Sequence, residues 1–253
     1  ISSKKFLPQL TRYLNSHGLD QLKCQASVPS FTDSISWVRK AVTHRGVVPW
    51  RRSSSSRVSQ NVIYQQRANP YLVSQRAIDI GLYVFIDHLL PSLNYCVYNR
   101  WLLRIAKHPT SATNIVVRDD YITLFNLKGN LERYLNPCRN QTDCAFRRML
   151  THSGMNVNRT IKNLHNVIRN SLILEQGRAI RHRATQNGSF ELLRYDFLLR
   201  AEDAHPLLLE INMSPDMNVN RRGNDDFKYQ LARDVIGMAT GRRHITTDIL
   251  DGW

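Results

Sequence analysis

The chain has 253 residues, enough for one large domain or two small ones with a real core. It is 42% hydrophobic and 22% charged, the composition of an ordinary soluble globular protein. The strongest apolar runs, such as Gly81 to Ile86, are far too short to span a bilayer. A net charge of +15 asks for an acidic partner, and nucleic acid is the default candidate at such a charge. Yet the basic residues are scattered in pairs such as Arg51-Arg52 and Arg221-Arg222. No aromatic stacking motif or zinc-finger spacing accompanies them, so nucleic acid is the least supported partner. Ile1 at the start is what a fragment or a processed chain would show.

Residues 1–36 carry little pattern beyond an expected helix around Leu7 to Leu14. Residues 48–61, with Ser53 to Ser56, read as an exposed loop. Between Arg76 and Asp87 the alternation is clean: Ile78, Ile80, Leu82, Val84 and Ile86 share one face, and Asp79 falls on the other. A further strand is expected at Leu93 to Tyr98. Asp119 and Asp120 are neighbours, which would point apart on a strand, and they read as a turn. From Thr160 to Ile180 the spacing of Ile161, Leu164, Ile168 and Leu172 predicts an amphipathic helix, with His165 at its boundary. Asn224 can cap a last helix with the apolar face Phe227, Leu231, Val235 and Met238.

Cys96 lies in an apolar run and reads as a packed thiol, while Cys24 is isolated. Cys138 and Cys144 flank a short polar stretch and can form a local disulfide; with no Cys-x-x-Cys, zinc is not expected. Glycosylation sequons start at Asn140, Asn158, Asn187 and Asn212, against about two or three expected by chance. The first three, with the cysteine pair, keep a lumenal location open beside a cytoplasmic one. No Ser-His-Asp or Cys-His arrangement points to a covalent protein nucleophile.

The most informative stretch is Phe190 to Asn218. Phe190 to Arg200 reads as a strand, Ala201 to His205 as a loop and Pro206 to Asn212 as the returning strand. If the five-residue loop closes symmetrically, Arg200 faces Pro206, Asp196 faces Glu210 and Arg194 faces Asn212. Side chains opposed in this way have Cβ atoms roughly 4.5–5.5 Å apart. Asn212, two residues beyond Glu210, points to the same face. Converging Asp, Glu and Asn oxygens suit Mg²⁺, whose oxygen ligands are commonly shared with phosphates. An acidic pair on a solvent-facing hairpin is the plain alternative, and a one-residue slip would separate the groups.

Asp-Phe-Leu-Leu, a short loop and Leu-Leu-Glu-Ile-Asn-Met-Ser-Pro resemble the magnesium-binding end of an ATP-grasp ligase, and more narrowly the tubulin tyrosine ligase-like family. The resemblance runs in order over residues 37–238. It implies that Asp196, Glu210 and Asn212 hold Mg²⁺, with Glu210 also counted as catalytic. Lys40, Arg45 and Gly46 match the family's lysine strand and glycine loop, which approach ATP phosphates. Asn61 to Val73, ending in Asn69-Pro70-Tyr71-Leu72, matches the segment lining the adenine; the common Gln-Lys is Tyr64-Gln65 here. Asp79 matches the Asp of a common Lys-Phe-Asp-x-Arg, which reads Ala77-Ile78-Asp79-Ile80-Gly81. Arg104 falls where a guanidinium binds phosphate or substrate carboxylate, a task its planar fork suits. Val116 to Leu135 resembles a divergent branch, with Leu124 in place of an asparagine.

What the resemblance implies is an α+β, ATP-grasp-like fold: antiparallel sheets with packed helices over residues 37–240. Residues 1–36 would be the remnant of an amino-terminal subdomain or a linker, and 241–253 a tail. The implied activity is an ATP- and Mg²⁺-dependent ligase that adds an amino acid, glutamate foremost, to an acidic protein tail such as that of tubulin. The microtubule cytoskeleton would be its setting, with membrane contact only through a segment outside these residues. A degenerate member that binds a partner without turnover is the second reading, resting on Gln65, Ala77, Gly81 and Leu124. A basic nucleic-acid-binding protein is the third.

Overall fold

The structure is a computed structural model that describes residues 6–25, 37–41, 47–49, 62–106, 109, 132–139, 141–181, 190–213, 215–217 and 225–242. Arg45, Gly46, Asp119, Asp120, Leu124, Asn140, Asn187 and Asn224 lie outside the described residues, so the readings made there have no structural counterpart.

Two antiparallel sheets organise the chain. The smaller has the order β1-β4-β2-β3, built from β1 (Cys24–Gln25), β2 (Trp37–Ala41), β3 (Val47–Pro49) and β4 (Val62–Gln66). The larger centres on β6 (Arg76–His88), a 13-residue strand buried from Ala77 to Ile86. It pairs with β9 (Glu191–Leu199), which pairs in turn with the edge strand β10 (Pro206–Asn212). β5 (Leu72–Val73), β7 (Asn94–Val97) and β8 (Leu102–Ile105) also pair with β6.

The alternation along β6 divides the protein into two faces. Ile78, Ile80, Leu82, Val84 and Ile86 join Leu193, Tyr195, Phe197 and Leu199 of β9 in the main core. Helices α1 (Leu7–Ser16), α3 (Thr142–His152) and α4 (Val157–Arg181) cover that side through Leu10, Phe146 and Leu164, among others. A short α2 (Glu132–Leu135) precedes α3. Leu7, Leu10 and Leu14 place α1 in the same core as the large sheet. The opposite face of β6 is buried too, where one buried face alone was expected. Tyr83 and Phe85 pack there against Phe227, Leu231 and Val235 of α5 (Asp225–Ala239). This second face carries Asp79 and Gly81, and so carries the candidate site.

The hairpin closes differently from the symmetric loop expected. Arg200 N–H bonds the carbonyl of His205, not that of Pro206. The turn is tightened by the Arg200 fork, whose Nε and Nη2 each donate to Asp203 at 2.9 Å. Leu199, Leu198 and Phe197 therefore pair with Pro206, Leu207 and Leu208, one residue out of the expected register. A β-bulge between Leu208 and Glu210 then restores it, pairing Asp196 with Glu210 and Arg194 with Asn212. The expected pairing at the site thus holds for a reason other than loop length.

Cys138 and Cys144 form a disulfide that ties the turn after α2 to the first part of α3. Just beyond Cys138, Thr142 Oγ1 accepts from Trp101 N–H, and Trp101 packs edge-on to Phe146 at 4.9 Å. Cys96 is half-buried against Met238, its Sγ 3.4 Å from the thioether sulfur, and burial pushes its thiol up to about 11. Among the described residues, no helix is long and apolar enough to cross a membrane. Phe146→Ala should cost about 3–5 kcal/mol through the cavity it leaves. Ile236→Ala, at a side chain 61% exposed, should stay within about 0.5 kcal/mol. Urea unfolding of both variants checks the placement of the core.

Candidate active site

The site is assembled where four strands present alternate residues to the α5 side of the large sheet. β9 supplies Arg194 and Asp196, β10 supplies Glu210 and Asn212, β6 supplies Asp79 and Gly81, and β8 supplies Arg104. Direct register pairs join them: Gly81 with Asp196, Asp79 with Arg104, Asp196 with Glu210 and Arg194 with Asn212. Paired residues share a face, so the metal trio named from the sequence lies on one side of the sheet.

Asp196 is 2% exposed and accepts from two guanidiniums. Arg194 donates Nε to Oδ1 at 2.7 Å and Nη2 to Oδ2 at 2.8 Å. Arg104 Nη2 lies 3.2 Å from Oδ1, while its Nε donates to Asp79 Oδ1 at 2.5 Å. Burial alone would raise the Asp196 carboxyl, but Arg104 and Arg194 outweigh it and hold the group below its ordinary value. Burial would likewise lower the Arg104 guanidinium, and the charges of Asp79 and Asp196 raise it instead. Two buried carboxylates and two guanidiniums make this a mutually compensated cluster, which is how charge survives in an interior.

Lys40 and Gln65 meet the same strand from its other edge. They project from one face of the small sheet, since Val38 pairs with Gln65 and Lys40 with Ile63. Lys40 Nζ donates to the Leu209 carbonyl at 3.1 Å, and Gln65 Nε2 to the Leu208 carbonyl at 3.2 Å. Gln21 completes the set: its Nε2 donates to the Pro206 carbonyl at 3.0 Å and its Oε1 accepts from Leu208 N–H at 2.7 Å. These side chains take the place of a further strand along β10 and hold the bulge beside Glu210.

The structure therefore brings together Asp79, Arg104, Asp196, Glu210 and Asn212 on one face and sets Lys40 and Gln65 against β10. The sequence reading assigned no role to Arg194. Its signal was present: two residues before Asp196 it must share that face, and Gly81, the register partner of Asp196, leaves room for its side chain. Asp196 and Glu210 are acidic oxygen donors and Asn212 adds a neutral one, a set chemically suited to Mg²⁺. Among the described residues, no three His, Cys, Asp or Glu side chains group closely enough to hold an ion. An ion on Asp196 would thus draw further oxygens from Asn212, a water or a ligand, in competition with two guanidiniums.

Antiparallel sheets with packed helices and an acidic hairpin beside a clamped cation define an α+β protein of ATP-grasp-like architecture. The family model described as "Tubulin-tyrosine ligase family" matches residues 38–246, and the chain belongs to that family. It is 26% identical over 218 residues to "Probable tubulin polyglutamylase ttll-15" of Caenorhabditis elegans, covering 82% of this chain and 42% of that protein. It is 27% identical over 207 residues to "Probable tubulin polyglutamylase ttll-9" of the same organism, covering 76% and 46%. With "Probable tubulin polyglutamylase TTLL9" of Mus musculus it shares 26% over 186 residues, covering 70% and 38%. The chain spans less than half the length of these curated relatives.

Asp196→Asn should cost about 3–5 kcal/mol at neutral pH, because it takes the carboxylate from the buried Arg194 guanidinium and leaves the half-buried Arg104 with Asp79 alone. A carboxyl held low when folded stabilises fully above its unfolded value, about 3.9, and loses that contribution as pH falls through the folded value. The gap between wild type and Asp196→Asn should therefore narrow in acid. Denaturant midpoints of both proteins at neutral pH and at about pH 3 measure it.

Proposed function

We propose that this chain carries the nucleotide and catalytic part of an ATP-dependent ligase that adds an amino acid to an acidic protein tail. Glutamate on tubulin is the pairing the relatives' names favour. One observation carries the reading: the bulge in β10 sets Glu210 opposite Asp196, on the face shared by Asp79, Arg104 and Asn212. Without it Glu210 would turn toward the apolar core, so the hairpin is shaped around that pair.

In the proposed reaction a carboxylate of the acceptor tail takes the γ-phosphoryl of ATP, giving an acyl phosphate and ADP. The amine of the incoming amino acid then attacks the acyl carbon, forming the amide and releasing phosphate and a proton. Asp196, Glu210 and Asn212 would hold Mg²⁺, which when bound spreads the charge of the transferring phosphoryl group. Arg104 would orient phosphate or acyl oxygens through its fork. Lys40 already lies beside the bulge and would add a second cation near the same strand. Arg45 and Gly46 stay assigned to the phosphates, and Gln65 to the adenine side, by resemblance alone. No protein nucleophile is required.

A second reading has one observation behind it. Lys40 and Gln65 bond β10 carbonyls, and Asp196 is occupied by two guanidiniums, as in a site kept for structure. Such a protein would bind an acidic partner without turnover.

Glu210→Gln should lower ATP-dependent glutamate incorporation by about a hundredfold or more while leaving the fold intact. The change keeps the size of the side chain and removes the charge that would balance the metal. Labelled-glutamate transfer to tubulin, beside thermal melts with and without Mg²⁺–ATP, separates the readings. A wild-type chain inactive in both assays supports the binding module. Binding to an acidic tubulin-type tail should also weaken steeply between low and physiological salt, as screening acts on exposed charges. Tighter binding to duplex DNA than to that tail would revive the nucleic-acid reading.

A further inference from the structure

Gly81 is a position where a side chain would collide. A Cβ built there would lie 3.1 Å from Arg194 Cδ, 3.2 Å from Asp196 Oδ1 and 3.3 Å from Leu102 Cβ. The space above Gly81 is taken by Arg194, whose stem crosses it on the way to the Asp196 carboxylate. Arg194 is itself buried, 8% exposed, and binds Asp196 through both oxygens. With Arg104 on Oδ1 as well, three of the carboxylate's about four acceptor directions are taken by cations. A bare divalent ion would have to take the one remaining direction beside two like charges, or displace a guanidinium. A polyphosphate changes that balance, because its oxygens can take the displaced fork in a charge-assisted, bidentate contact.

We propose that Arg194, made possible by Gly81, guards Asp196: it keeps divalent cations off the carboxylate until a nucleotide polyphosphate arrives, and then binds that polyphosphate. This rests on the reading of the site as an ATP–Mg²⁺ site. It gives Arg194 a role distinct from that of Arg104, which remains anchored on Asp79. It also gives the glycine a purpose, since β6 needs a residue without a side chain wherever a neighbouring strand lays a guanidinium across it. The order of events follows from the charges. Metal and nucleotide bind together, and metal alone does not.

The test compares Mn²⁺ with Mn²⁺–ADP on wild type and Arg194→Ala, using the paramagnetic signal of free Mn²⁺ and calorimetry. Wild type should hold Mn²⁺–ADP and show no uptake of Mn²⁺ alone. Arg194→Ala should bind Mn²⁺ alone at least about tenfold more tightly and Mn²⁺–ADP at least about tenfold more weakly, the size of one lost or gained charged hydrogen bond. A purely structural arginine would move both affinities in the same direction, or neither, and either result overturns the proposal. If the alanine variant does not fold, Arg194→Gln removes both the charge and the fork at similar length, and the same opposite movement is required of it. The double change Gly81→Arg with Arg194→Gly returns a guanidinium from the other strand and should recover Mn²⁺–ADP binding. Failure of wild type to bind Mn²⁺–ADP, together with gain of Mn²⁺ by Arg194→Ala, would refute the nucleotide reading and leave only the guarding of Asp196.

Discussion

The single extra residue in β10 is the constraint on which the site depends. Side chains alternate along a strand, so a shift of one residue exchanges the two faces of a sheet. The tight turn at Arg200 and Asp203 sets the hairpin one residue short. If that register ran on, Glu210 would face the core that Phe197 and Leu208 fill, and its carboxylate would be stranded among apolar groups. Burying an unpaired charge costs several kcal/mol, so the bulge is the cheaper solution. Bulges leave backbone groups without ladder partners, and here the small sheet and the segment just before it supply them. Lys40, Gln65 and Gln21 bond the carbonyls and N–H on either side of the irregularity. The amino-terminal part of the chain thus sets the face on which a carboxylate far along the sequence appears.

A second theme is the way charge is stored. Asp79, Arg104, Asp196 and Arg194 form a chain of alternating sign across three strands. Each member is costly to bury alone, and together they hold one another in fixed rotamers. Such a cluster keeps carboxylates ionised and oriented without bulk water. It also makes ligand entry an exchange of partners. Phe227, which packs on Tyr83 at 5.6 Å and on Tyr98 at 6.0 Å, lies on the same face and fixes α5 alongside this cluster.

Much of this was legible in the sequence. Alternation from Ile78 to Ile86, the three-to-four spacing from Ile161 to Leu172 and the apolar stripe of α5 are local patterns, and each produced the expected element. The helix at Leu7 and the local disulfide were legible for the same reason. What was not legible depends on groups distant in sequence. The second buried face of β6 exists because α5, about 140 residues later, folds over Tyr83 and Phe85. The bulge cannot be read from Pro206 to Asn212, since it follows from the turn on one side and from the clamping side chains on the other. Lys40 and Gln65 bond carbonyls more than 140 residues away, which no local pattern encodes. Arg194 escaped notice because a basic residue on a strand is ordinarily solvated, and its burial becomes evident only once its stem is seen to lie over Gly81.

The capped edge of β10 has a bearing on how this sheet could meet an extended peptide. Many proteins that bind extended peptides add them as a further strand, using unpaired backbone groups at a sheet margin. Here those groups at Pro206, Leu208 and Leu209 already belong to Gln21, Gln65 and Lys40, so that margin cannot receive one. A tail of the kind proposed would at that stretch lie against side chains instead. Contacts of that kind follow charge more than backbone register, and they let a peptide slide by a residue without breaking a ladder. Under the proposed function such tolerance of position would be an asset, because each residue added to an acidic run would move the growing end while the surface that holds it stayed the same.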